Sequence, residues 1–206
     1  YPGATMPFGM MQLSPDTRLE GWDGCSGYHY SDAYIYGFSH THLSGTGVSD
    51  YGDILLMPTN AINFHNGADG KKGYRAHFSH KNEEASPGYY HVKLDSTDID
   101  VGLTVSKRSG IHKYQFPTSN NQIVILDLEH RDKVLDATIE KISNTQLQGY
   151  RFSDAWAKDQ RLYFYIKTSH AFSDSIQPSQ DGSPKKRKTA LTFVNPKNEP
   201  IIINIG

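Results

Sequence analysis

The spacing His40-Thr41-His42 is the most chemically suggestive in the chain. On extended backbone it sets two imidazoles on one face, about 7 Å apart at Cα, because each residue rises roughly 3.3 Å. That separation suits two ligands of one Zn²⁺ or Fe²⁺. However, the following Leu43-Ser44-Gly45-Thr46-Gly47 supplies no carboxylate before Asp50. Hydrogen bonding to sugar hydroxyls, or ordered support of a loop beside a ligand, therefore stands ahead of a metal, with purely structural histidines as the alternative. Trp22, next to Asp23 and Gly24, lies in a loop context. An indole there can stack on the apolar face of a sugar ring while a neighbouring carboxylate bonds its hydroxyls. The structural alternative is a plug at the end of a core.

The nearby carboxylates are Asp16, Asp23, Asp32, Asp50 and Asp53. An inverting glycosidase needs an acid and a base roughly 6.5–9.5 Å apart, and this spacing identifies no such pair. Asp and Ser beside glycine commonly form turns instead. Cys25 is the single cysteine, so an internal disulfide is excluded, and it carries no nucleophile signature. There is no Asp-x-Asp-x-Asp-Gly calcium loop. Gly45-Thr46-Gly47 lacks the lysine and the strand-to-helix context of a phosphate loop.

These residues crowd into one glycine- and aromatic-rich block, residues 21–47, which the rest of the chain must position. A net charge of −1 over 206 residues gives no basic footprint for nucleic acid. No apolar run approaches the roughly 18 residues of a membrane-spanning helix. From residue 74 onward, short strand-like segments recur every 8–12 residues or so, separated by turn formers such as Ser86-Pro87-Gly88 and Ser109-Gly110. Expected strands are 10–13, 53–57, 61–64, 74–80, 89–95, 99–108, 111–116, 122–127, 134–142, 146–153, 161–168, 189–194 and 201–205. Tyr90, Val92 and Leu94 share one face, as do Val101, Leu103 and Val105, by the period of two along a strand. Helix competes over 132–142, but Leu135, Ala137 and Ile139 alternate, which favours a strand. Ser14-Pro15-Asp16-Thr17 reads as a turn, Lys185-Lys186-Arg187-Lys188 as a solvated hairpin tip, and Trp156 as core or interface packing. The pattern predicts an all-β sandwich or barrel. The chain begins Tyr1-Pro2 and stops inside an apolar strand, so a longer natural polypeptide is expected.

Several motifs together resemble the N-terminal domain of glycoside hydrolase family 92, the calcium-dependent α-mannosidases. They are Pro7-Phe8-Gly9-Met10, Leu13-Ser14-Pro15-Asp16-Thr17, Gly21-Trp22, Gly27-Tyr28-His29-Tyr30, Gly37-Phe38-Ser39-His40-Thr41-His42-Leu43-Ser44-Gly45-Thr46-Gly47 and Asp50-Tyr51-Gly52-Asp53. The later segment Lys167-Thr168-Ser169-His170-Ala171-Phe172 departs from the family pattern. The resemblance implies that residues 1–206 form a single large antiparallel β-sandwich of galactose-mutarotase-like type, a supersandwich with few short helices. It implies a downstream (α/α)₆ barrel holding the acid, the base and most calcium ligands, and hydrolysis with inversion. Phe8, Gly9, Trp22, Cys25, His40 and His42 would then line or support a mannose pocket at the domain interface, with no catalytic residue and no metal ligand among them. The expected partners are mannose-containing glycans and the chain's own barrel, and the expected location is periplasmic or extracellular. An apolar docking face left uncovered would be open to a non-native dimer. The alternative is a free-standing carbohydrate-binding sandwich.

Overall fold

The computed structural model describes residues 2–24, 26–44, 50–118, 121–177 and 185–206. In chain order the strands are β1 (Ala4–Thr5), β2 (Gln12–Asp16), β3 (Tyr34–Ile35), β4 (Gly37–Ser39) and β5 (Leu55–Thr59). There follow β6 (Ala76–Ser86), β7 (Tyr89–Leu94), β8 (Ile99–Val105), β9 (Gly110–Gln115), β10 (Ile123–Asp127) and β11 (Lys133–Ser143). The last are β12 (Gln146–Asp154), β13 (Gln160–Thr168), β14 (Phe172–Ile176), β15 (Lys188–Phe193) and β16 (Ile201–Ile205). They form two antiparallel sheets. One has the order β1-β2-β4-β5-β10-β15-β14, the other β11-β12-β13-β16-β9-β8-β7-β6-β3.

The core is the space between them. In β7 and β8 burial alternates residue by residue, with Tyr90, Val92, Leu94, Ile99, Val101 and Leu103 facing inward. That alternation marks a sheet with one wet face. β5 and β10 are buried at every position, which places them mid-sheet with both faces covered. The stretch 134–142 is strand, paired along β12 with irregularities at Val134/Asp136 and Lys141/Ser143.

Five expectations are corrected. No strand forms over 61–64. The few short helices are not found: among the described residues every helix or strand element is a strand. Ser14-Pro15-Asp16 is the end of β2 rather than a turn. β1 reaches only Leu13, so Pro15 pairs with Phe38 on one side alone and its missing N–H breaks no second ladder. Pro58 is likewise inside β5, since β4 meets that strand only at Leu56. The basic run is not a free tip. Lys185 pairs with Asp136 at 2.5 Å and Lys188 with Asp127 at 3.0 Å, and Lys188 begins β15.

Candidate functional site

β2, β4 and the loops after β4 and β10 converge on one buried carboxylate, Asp16. Its Oδ1 lies 2.9 Å from His42 Nε2, and its Oδ2 lies 3.0 Å from His130 Nε2 and 2.5 Å from the Ser39 hydroxyl, which donates. Arg131 Nη1 is 3.8 Å from Oδ1. His42 Nδ1 donates to the Gln12 carbonyl at 2.7 Å. Because its Nε2 faces a carboxylate, both ring nitrogens act as donors. Burial alone would raise the Asp16 carboxyl, but the charge and hydrogen bonds of His42 and His130 hold it well below the ordinary range. Ser39, His42 and Asp16 are the residue types of a nucleophilic triad, yet Ser39 gives its proton to the carboxylate, which meets the same imidazole nitrogen as the hydroxyl does. All three are buried, so the group is a structural anchor rather than a nucleophile. The backbone crowds it too. Gly27 has φ +83°, and a Cβ there would sit 2.1 Å from Asp16 Oδ1.

His40 serves a second buried chain. Its Nδ1 donates to the Ile54 carbonyl at 2.5 Å, so its Nε2 must accept. His112 Nε2 therefore donates across 2.7 Å, and His112 Nδ1 accepts from the Tyr114 hydroxyl, also at 2.7 Å. Only neutral rings satisfy this order. Burial pushes His40 down from 6.5 to about 4 and His112 well below its ordinary value. The folded state therefore refuses protons that the unfolded chain accepts. The stabilisation is complete above pH 6.5 and is lost as the pH falls toward 4, by roughly 3 kcal/mol for His40 alone. Imidazole NMR should show these two rings holding neutral shifts at pH 5 or so. Titration of both with a midpoint near 6.5 would exclude the buried chain.

A third anchor is Arg151 on β12, whose guanidinium is buried against three loop partners. It pairs with Asp53, donates to the Arg131 carbonyl, and its Nε donates to the Leu128 carbonyl at 2.8 Å. Asp53 also accepts from Thr41 Oγ1 at 2.7 Å and Gln160 Nε2 at 2.6 Å. Asp50 accepts from the Ala157 amide at 2.9 Å, and His42 and Tyr51 form a lone antiparallel bridge.

These anchors frame a cleft of about 370 Å³ lined by Gly9, Thr41, His42, Tyr51, Gln160 and Arg161, among others. An adjoining apolar recess of about 190 Å³ shares Met10, Thr41 and Leu162 with it and reaches His40. Of the residues singled out from sequence, the cleft thus joins Gly9 and His42. The His42 side chain exposes no surface, so its backbone forms the wall while the ring supports from behind. Phe8 is fully solvent-exposed with φ +58°, a strained left-handed conformation for such a residue, beside Met10, whose amide is tied to the Lys107 carbonyl at 2.8 Å. Trp22 is 70% exposed and plugs no core. Trp156 is 72% exposed, which rules out its core role. Cys25 and residues 45–49 lie outside the described residues.

His112, His130, Arg131 and Arg151 were not singled out from sequence, and Asp16 was noted there only as a nearby carboxylate and turn former. One signal was available for Arg151: it shares the inward face of β12 with Leu147 and Ser153, where a charge must find a buried partner. Among the described residues no three His, Cys, Asp or Glu side chains are placed to hold a metal. Asp16 and Asp53 are already engaged by side chains of the protein and are not free to ligate a metal, and the family resemblance places most calcium ligands in a downstream barrel.

A two-sheet antiparallel sandwich whose polar loops meet over one cleft defines a β-sandwich domain that presents its candidate site on loops. The chain belongs to the glycosyl hydrolase family 92 N-terminal domain, which matches residues 1–206. It is similar to the family GH92 α-mannosidase BT3965 from Bacteroides thetaiotaomicron, with 28% identity and a TM-score of 0.86, over 100% of this chain and 30% of that one. The family GH92 inverting mannosidase BT2199 from the same organism shares the fold at 22% identity and a TM-score of 0.79, over 100% of this chain and 28% of that one. An uncharacterized secreted glycosidase of Arthroderma benhamiae is 27% identical over 250 aligned residues, covering 95% of this chain and 31% of its own. The chain spans about 30% of the length of these relatives.

Proposed function

We propose that this chain is the N-terminal, non-catalytic domain of an exo-acting inverting α-mannosidase that cleaves α-1,2 linkages of N-glycan or mannan type. The observation carrying this reading is the match of the whole chain to part of an α-mannosidase at 28% identity. In this reading Phe8, Gly9, Trp22 and Cys25 contribute surface to the pocket for the terminal mannose, and His40 and His42 hold its walls. The acid, the base and calcium belong to a following barrel that docks over the exposed Phe8, Met10 and Tyr163. The polypeptide is exported to the periplasm or the medium.

An inverting hydrolase needs two carboxyl groups flanking the scissile bond. Here Asp23, next to Trp22, and Asp32 are both paired with Arg18. The pure 206-residue chain is therefore expected to release no mannose from an aryl α-mannoside, and sustained turnover would refute the non-catalytic role. The exposed indole of Trp22 favours one second reading, a self-sufficient carbohydrate-binding module. Calorimetry separates the two: half a pocket gives no saturable mannose isotherm, whereas a binding module does.

A further inference from the structure

Trp22 stands largely in solvent on residues 21–24, 70% exposed, so little packing of its own fixes the indole. What fixes the turn is Arg18. Its Nη2 and Nε donate to the two oxygens of Asp32, at 2.6 and 3.2 Å, and its Nη1 donates to Asp23 Oδ2 at 2.7 Å. Asp23 is the residue immediately after Trp22. Thr17 Oγ1 donates to the same Asp32 at 3.0 Å, and the amides of Thr17 and Arg18 both bond the Gly27 carbonyl. Gly24 then lies directly on the Arg18 stem, where a Cβ would come within 2.6 Å of Cδ. The guanidinium thus ties Asp23, inside the Trp22 turn, to Asp32 beyond it, while its aliphatic stem supports the turn backbone at Gly24.

We propose that Arg18 is the positioning residue for Trp22: its three-donor fork, braced between Asp32 and Asp23, sets the orientation in which the indole is offered to a sugar ring. The sugar rests on the function proposed above; the grip on the turn does not. Lysine at this position keeps the charge but has no planar fork, so it cannot hold two carboxylates at fixed angles. Arg18 and its acids are partly exposed, at 25% for Arg18 and 43% and 18% for Asp23 and Asp32, and such pairs add little to global stability. Arg18→Lys should therefore leave the fold alone and release the turn.

The chain contains only two tryptophans, which makes the test direct. With 5-fluorotryptophan incorporated, ¹⁹F NMR gives one resonance for each, assigned by Trp22→Phe. Arg18→Lys and Arg18→Met are expected to shift and broaden the Trp22 signal, leaving the Trp156 signal and the melting temperature in place. A Trp22 signal unchanged in both variants overturns the proposal. So does movement of both signals together with a fall in melting temperature, which would make Arg18 a general structural residue. In the longer enzyme of the proposed function, Arg18→Lys should raise KM about tenfold at unchanged kcat, the signature of lost uniform binding. If Trp22→Ala leaves KM unaltered there, the sugar-stacking role of Trp22 fails while the ¹⁹F result stands.

Discussion

Arg151→Met is expected to lower the unfolding free energy by about 3–5 kcal/mol, measured by urea denaturation at neutral pH. Methionine preserves much of the aliphatic stem, so the loss isolates the guanidinium. Without it the Asp53 carboxylate stays buried with only the neutral donors of Thr41, Gln160 and its own neighbourhood. The carbonyls of Leu128 and Arg131 also lose the side-chain donor that joins the loop after β10 to β12. Removing one member of a buried pair costs far more than removing both. Adding Asp53→Leu to Arg151→Met is accordingly expected to recover part of the loss. A single-variant cost below about 1 kcal/mol, the range of an exposed ion pair, would show that the pair is not buried in solution.

Asp16→Asn is expected to cost a similar amount, about 3–5 kcal/mol, because His42, His130 and Arg131 converge on that one anion. The amide is nearly isosteric, so packing is spared and the change is electrostatic. The pH dependence has a defined sign. The Asp16 carboxyl is depressed in the folded state, so its stabilisation is complete above the ordinary value of 3.8 and is lost as the pH falls below it. The gap between the native chain and the variant should therefore persist from pH 7 down to about 4 and close in stronger acid. The separate losses from His40, between pH 6.5 and about 4, and from His112 arise chiefly from burial, which both chains share, so they largely cancel in the difference. A gap that closes near neutral pH would place the stabilising charge elsewhere.

The large hairpins were legible because their signals are local. Alternation in Tyr89–Leu94 and Ile99–Val105, with Pro-Gly between β6 and β7, states strand and turn without reference to any partner. β11 was legible for the same reason. The strands that escaped, β1, β3, β4 and β14, are short or polar, and only their neighbours make them strands. Phe172–Ile176 reads Phe-Ser-Asp-Ser-Ile and is held by pairing with β15. The prolines misled similarly: Pro15 and Pro58 look like breakers until the length of the adjacent strand is known.

For the site, residue types were legible and roles were not. His40 and His42 stood out by spacing, but a histidine beside a ligand and one buried behind a wall carry the same letter. Their partners decide: Ile54 and His112 for one, Gln12 and Asp16 for the other. Arg18, Asp23 and Asp32 lie within one short stretch, yet only the fold shows a single fork gripping both acids.

The sequence by itself determined that the chain is β throughout its second half, that it carries no strong charge bias, and that residues 21–47 form a block enriched in aromatic, histidine and glycine residues. Those properties follow from side-chain alternation and composition, which act over a few residues. The tertiary structure alone decided which charges are neutralised and which surfaces remain. Asp16 meets His130 across 114 positions, and Arg151 meets Asp53 across 98. Such pairs exist only after the sheets have closed over them and removed the water that would otherwise screen each charge.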